Sequence, residues 1–182
     1  MNELTSTALS AWQSFYVIVG SAAAALIGMQ FIVVTLLANQ RRPPTAETVS
    51  AFGTPTVVHL ASALLVSAIM SLPWPSLYPT SIALVLSGFS GFCYGVIVFR
   101  RARRQTYYQP EWADWLWYAL LPCSIYVALM VAALLLRTTC FTSLFAIAAA
   151  ALGLLLIAIH NAWDTVTHIV VVRLHEDETK TD

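Results

Sequence analysis

The sequence predicts an all-α, polytopic integral membrane protein: a bundle of five transmembrane helices with its N-terminus outside and its C-terminus in the cytoplasm. Three observations carry that expectation. Apolar residue types make up 59% of the 182 residues while charged types make up only 10%, whereas a soluble domain is about one quarter charged. The apolar residues fall into five runs, and five spans of about 20 residues need about 100, which fills the chain as a single membrane domain. Finally, Lys and Arg are unevenly distributed between the connections.

The first span is expected at 15–37, free of charge and stopped by Arg41, Arg42, Pro43 and Pro44. At 23 residues this run exceeds the 7 to 15 of a signal-peptide core, and Glu3 is the only charge before it; it is expected to remain as a span. Thr54 and Pro55 read as an N-cap and first helical residue for a second span at 55–72. Pro73, Pro75 and Pro79, interleaved with Trp74 and Tyr78, read as a turn with aromatics at interface depth. The third span, 81–99, is closed by Arg100, Arg101, Arg103 and Arg104. Pro110, Glu111 and Asp114 announce a fourth at 111–136, with Tyr107, Tyr108, Trp112, Trp115, Trp117 and Tyr118 as an aromatic belt at its start. Pro122 leaves the carbonyl of Tyr118 without its usual donor, so a bend is expected there, as a structural kink or a hinge. The fifth helix is expected at 141–172, followed by a short acidic tail, 174–182, that reads as mobile.

With five spans, eight of the nine Lys and Arg residues fall on one side: Arg41, Arg42, Arg100, Arg101, Arg103, Arg104, Arg173 and Lys180, against Arg137 alone on the other. The positive-inside rule makes the first side cytoplasmic. The default location is a bacterial inner membrane. Net charge is zero, so nothing suggests a nucleic-acid partner. Membrane lipids are the expected partners, with Arg100, Arg101, Arg103 and Arg104 near anionic head groups. Cys93, Cys123 and Cys140 form no CxxC motif or disulfide framework.

Small residues recur at spacing four as Gly20, Ala24 and Gly28 and as Ser87, Gly91 and Gly95. Such rows let helices approach closely in lipid. They serve packing within the chain or contact between copies, and a homo-oligomer is expected.

The most informative segment is 160–168. His160, Asn161, Asp164, Thr165, Thr167 and His168 fall within an arc of about 160° at 100° per residue, opposite Ile159, Ala162, Trp163 and Val166. Ionisable groups in a membrane helix need partners or water. The fifth helix at 32 residues is about 48 Å long against a hydrocarbon core of about 30 Å, so part of it must protrude. Either the polar arc is a solvated or partner-facing flank, or it lies inside the membrane with Gln30, His59 and Tyr94 around an inner vestibule.

Three function classes follow. The leading expectation is a non-catalytic scaffold, sensor or assembly partner that contacts another membrane or cytoplasmic protein. An alternative is a homo-oligomeric channel or transporter-like protein with a path lined by Gln30, His59, His160, Asn161, Asp164, Thr167 and His168. A second alternative is a metal- or haem-binding redox protein. His160 and His168 stand about 12 Å apart and cannot share an ion, so a metal would need an adjacent pair among His160, Asp164 and His168 with His59 as third ligand, and a haem would need His59 with His168. No cofactor or metal is assigned. The chain lacks GxSxG, HExxH and Gly-rich phosphate motifs, and no enzyme activity is expected.

Overall fold

The computed structural model describes residues 9–38, 53–104 and 115–178. These residues are helical almost throughout, with no strand among them, and five helices are long and apolar enough to cross a membrane. In chain order they are α1 (Gln13–Ala38), α2 (Thr54–Ser71), α3 (Leu77–Arg104), a π-helical turn (Leu116–Leu120) that leads into α4 (Leu121–Leu135), and α5 (Cys140–Glu178).

The helix ends differ from expectation in physically readable ways. α2 starts one residue early, so Thr54 lies within the helix behind Gly53, and no side chain caps that end. α3 starts at Leu77, so Pro79 sits in its first turn, where a missing N–H deprives no carbonyl of a helical partner. α3 also continues through the arginine cluster, and α5 runs to Glu178, six residues past the expected end. Nothing between Arg173 and Glu178 is Gly or Pro, so the helix takes in the start of the acidic tail. Arg41, Arg42, Tyr107, Tyr108, Pro110, Glu111, Trp112, Asp114 and Lys180 lie outside the described residues.

Two short connections make α2–α3 and α4–α5 antiparallel hairpins. In the first, the indole Nε1 of Trp74 donates to the Ile69 carbonyl at 2.6 Å, satisfying one of the open carbonyls that end α2. In the second, the backbone N–H groups of Thr138 and Thr139 both bond to the Leu135 carbonyl. The Arg137 guanidinium lies 5.6 Å from the centre of the Tyr78 ring, joining the two hairpins at this tight-turn end.

Helices α2, α3, α4 and α5 pack around a common centre, each against its two neighbours, so that α2 stands across from α4 and α3 across from α5. α1 lies outside this ring, against α2 and, more lightly, α5. Leu60, Val66, Leu84, Leu129, Ile147 and Leu154 are all fully buried at the centre. Phe31, Leu86, Leu134 and Phe141 point outward, as side chains in hydrocarbon do. Lipid tails are as apolar as leucine, so this bundle is held by close packing and interhelical hydrogen bonds rather than by exclusion of water.

The small-residue row on α3 packs within the chain. A Cβ on Gly91 would overlap the Tyr126 ring of α4, one on Gly95 would fall 2.7 Å from Cys123 Sγ, and one on Gly88 would fall 2.7 Å from Met130 Cγ. Ser81, on the same helix, donates its hydroxyl to the Ala133 carbonyl of α4. The α1 row is divided. A Cβ on Gly20 would come within 3.1 Å of Ser67 Cβ on α2, whereas Gly28 has nothing within 4 Å.

Gly91→Ala is therefore expected to lower stability by about 1–3 kcal/mol, the usual cost of overpacking. Gly28→Ala should be neutral or slightly stabilising because alanine favours the helix. Unfolding in mixed micelles with increasing SDS would check both, and equal effects from the two substitutions would contradict the assigned packing.

Candidate functional site

The polar side chains named from the sequence gather at the end of the bundle that carries the arginines of α3. They form two separate groups.

The first group is internal. His59, in the second turn of α2, is 1% exposed. Its Nδ1 lies 3.0 Å from the hydroxyl of Tyr126 on the facing helix α4. The Tyr126 hydroxyl donates to Ser62 Oγ at 2.9 Å, and Ser62 Oγ donates in turn to the Val58 carbonyl at 2.9 Å. Tyr126 reaches across the bundle because Gly91 leaves room for its ring. Sequence reasoning missed Tyr126, since one tyrosine within an apolar span resembles any core aromatic. The signal that would have found it was Gly91 itself: a glycine in a close-packing row implies a bulky partner on the facing helix.

The second group is a clasp between the start of the fourth span and α5. The proline disturbance expected at Pro122 takes the form of a π turn: the Leu121 N–H bonds to the Leu116 carbonyl, five residues back. An α register would have left the Tyr118 carbonyl facing the proline without a donor, and the wider turn absorbs that mismatch just before Pro122. Two successive aromatics of this turn both meet α5. The Trp117 ring stacks on the His160 imidazole at 3.8 Å between centroids and 23° between planes. The Tyr118 hydroxyl lies 3.3 Å from Asp164 Oδ2 and 3.5 Å from the Asn161 carbonyl. Both distances are long, and the carboxylate is the better acceptor on charge as well as distance.

The polar arc of α5 is therefore not a single face with a single environment. Asn161 turns into the bundle and is 0% exposed. His160 and Asp164 lie on the flank beside the π turn, both exposed apart from those contacts. Thr165 Oγ1 bonds to the Asn161 carbonyl at 2.8 Å and Thr167 Oγ1 to the Trp163 carbonyl at 2.9 Å, so neither hydroxyl needs an outside partner. Trp163 points away from the protein at 71% exposure. The His168, Arg101 and Arg104 side chains lie outside the described residues. Gln30 is half-buried on α1, the helix outside the four-helix ring, with no described bond to either group. Tyr94 is half-buried on α3, and Arg100 is exposed at its end. Arg103 lies 5.3 Å above the Phe99 ring, and Phe99 packs edge-on to Trp115 with centroids 5.0 Å apart.

The three residues grouped in the vestibule expectation, Gln30, His59 and Tyr94, sit on α1, α2 and α3 respectively. His59 is tied to Tyr126 and Ser62 inside the core, while Gln30 is half-buried on α1, which packs against α2 from outside the ring. Among the described residues, no group of three or more His, Cys, Asp or Glu side chains converges as metal ligands would.

Comparison with protein-family profiles, curated proteins and solved structures finds no match for this chain.

Tyr126→Phe removes the hydroxyl that serves both His59 and Ser62 and is expected to destabilise the bundle by about 1 kcal/mol. Tyr118→Phe, at the exposed clasp, should change stability by less than about 0.5 kcal/mol. SDS-induced unfolding would rank the two, and a larger loss for Tyr118→Phe would reverse the assigned importance. Because an imidazole stacked on an indole quenches its emission, His160→Ala should raise tryptophan fluorescence. No change in Trp117→Phe protein carrying the same substitution would assign the effect to that stack.

Proposed function

We propose that this protein is a non-catalytic scaffold, sensor or assembly partner of a bacterial inner membrane, which presents its basic cytoplasmic connections and the polar flank of α5 to another protein. The observation that carries this reading is the division of polar groups at the arginine-rich end. Most of the bundle centre is packed with apolar side chains and Tyr126, with His59 and Asn161 enclosed towards its arginine-rich end, while His160 and Asp164 stand outside it, held by Trp117 and Tyr118. A filled centre favours a protein that binds at its surface over one that conducts through its middle.

The orientation has the N-terminus outside and the C-terminus cytoplasmic, on the eight-to-one distribution of Lys and Arg. Depth supports the same assignment of the polar flank. Arg103, Phe99 and Trp115 stack at one level, and Tyr118 lies three residues, about 4.5 Å, further along its helix. Asp164, bonded to Tyr118, then sits within about one turn of the arginines, at head-group depth, where a carboxylate is readily hydrated. Head-group contacts by Arg100, Arg101, Arg103 and Arg104 belong to the same interface.

A homo-oligomeric channel or transporter-like protein is the second reading, and exposure of His160 and Asp164 is what favours it, because a path between copies needs polar groups on the outside. A metal or haem redox role gains nothing from the geometry: His59 bonds to Tyr126 inside the bundle, whereas His160 stacks on Trp117 on the exposed flank.

Chemical cross-linking in native membranes followed by affinity capture is expected to return a distinct protein, with reduced yield for Asp164→Asn and His160→Ala. Capture of the chain alone, together with ion or solute flux from proteoliposomes that both substitutions abolish, would replace this reading with the channel. A membrane-impermeant maleimide should label Cys140, at the tight-turn end, in intact spheroplasts; labelling confined to inverted vesicles would reverse the orientation.

A further inference from the structure

The hydrogen-bond chain at Tyr126 fixes more than packing. A carbonyl only accepts, so Ser62 spends its one hydroxyl hydrogen on the Val58 carbonyl and must accept the hydrogen from Tyr126. Tyr126 has then spent its own hydrogen, and its oxygen must accept from His59. His59 is thereby held with its hydrogen on Nδ1, which leaves Nε2 as a bare lone pair. That nitrogen is buried and has no partner among the described residues, and the same is true of both amide atoms of Asn161, Nδ2 and Oδ1.

These atoms belong to adjacent helices, both towards the arginine-rich end of the bundle. α2 and α5 pack directly against each other. Gly153 on α5 lies against Ile125 on α4, and Asn161 is eight residues beyond Gly153, about 12 Å towards the arginine-rich end. The side chain of Tyr126 leans towards the N-terminus of α4, which is that same end, and carries its hydroxyl and His59 with it. By the same rule the side chain of Asn161 leans back along α5, in their direction. Both leans shorten the axial offset of about 12 Å between the His59 ring and the Asn161 amide, towards a span that bridging water covers. A buried acceptor, a buried donor and a second buried acceptor together match what a water molecule offers, and buried waters sit where otherwise unpartnered polar groups face one another.

We propose that His59 and Asn161 form an occluded hydration site between α2, α4 and α5, in which bound water donates to Nε2 of His59 and is held by the Asn161 carboxamide. The site lies inside the bundle, apart from the exposed His160–Asp164 flank, and stands independently of the scaffold reading. It makes His59 the end of a directed chain, water to imidazole to phenol to serine to backbone, in the half of the bundle nearest the arginines.

Magic-angle-spinning NMR of protein labelled with 15N at histidine and asparagine, reconstituted in lipid vesicles, tests this directly, with the His59 resonances assigned by their loss in His59→Gln. The expected result is a neutral His59 protonated at Nδ1, an Nε2 shift typical of a hydrogen-bond acceptor, and magnetisation transfer from water to both the His59 ring and the Asn161 amide. That transfer should disappear on exchange into D2O. In Asn161→Leu the Nε2 resonance should move to the position of an unbonded ring nitrogen and transfer to the ring should be lost, while Asn161→Ser, which keeps a donor and an acceptor, should retain it. A proton on Nε2, no transfer from water in the native protein, or transfer that survives D2O would each overturn the proposal. The native-protein measurement decides the matter even where Asn161→Leu fails to fold.

Discussion

The hydroxyl of Tyr126 holds the centre of the bundle in register. It accepts from His59 and donates to Ser62, and so ties α4 to the helix across from it rather than to a neighbour. In lipid there is little hydrophobic force to select one helix rotation over another, since an apolar side chain is as well solvated by acyl chains as by protein. Directional bonds and steric fit must therefore make the choice. Both act at this residue. The ring fits only over Gly91, and a rotation of α3 by one position would bring Ser90 or Phe92 beneath it. The polar chain and the glycine contact thus specify the same arrangement of α2, α3 and α4 by independent means.

α5 completes the ring, and its character changes along its length. Ile147, Ala151, Leu154 and Ala158 bury an apolar stripe. Beyond them Asn161 continues the inward direction with a polar side chain, while His160 and Asp164 leave it for the flank beside the π turn. The π turn is what makes the flank: its extra residue per turn brings both Trp117 and Tyr118 against one helix, although consecutive residues of an α-helix point about 100° apart. A local irregularity imposed by Pro122 is in this way converted into a specific contact between two spans.

Much of this was legible in advance. Long apolar runs bounded by arginine or proline can hardly be anything but spans, because the bilayer demands both length and internally satisfied backbone. Gly91 and Gly95 were readable as a close-packing row for the same reason. The site was less legible. The helical-wheel arc over 160–168 groups residues by angle alone, so it could not say that the core boundary runs through the arc and separates Asn161 from His160 and Asp164. His59 was visible as an unusual residue in an apolar helix, yet its partner lies 67 positions away, and neither Tyr126 nor Ser62 differs in sequence from residues that do nothing but pack. Pro122 announced a disturbance without announcing its form, since whether a helix kinks or widens depends on what its carbonyls and side chains meet nearby.

What the chain determined unaided is its number of membrane-length helices and the clustering of its basic residues at alternate connections, because both follow from composition counted along one dimension. The tertiary structure alone decided that α1 stands outside a ring of four, that a tyrosine joins facing helices through a glycine gap, and that one asparagine turns inward while its polar neighbours turn out. Those outcomes depend on distances between helices and on the angle at which each presents its surface, and neither quantity exists until the helices have packed.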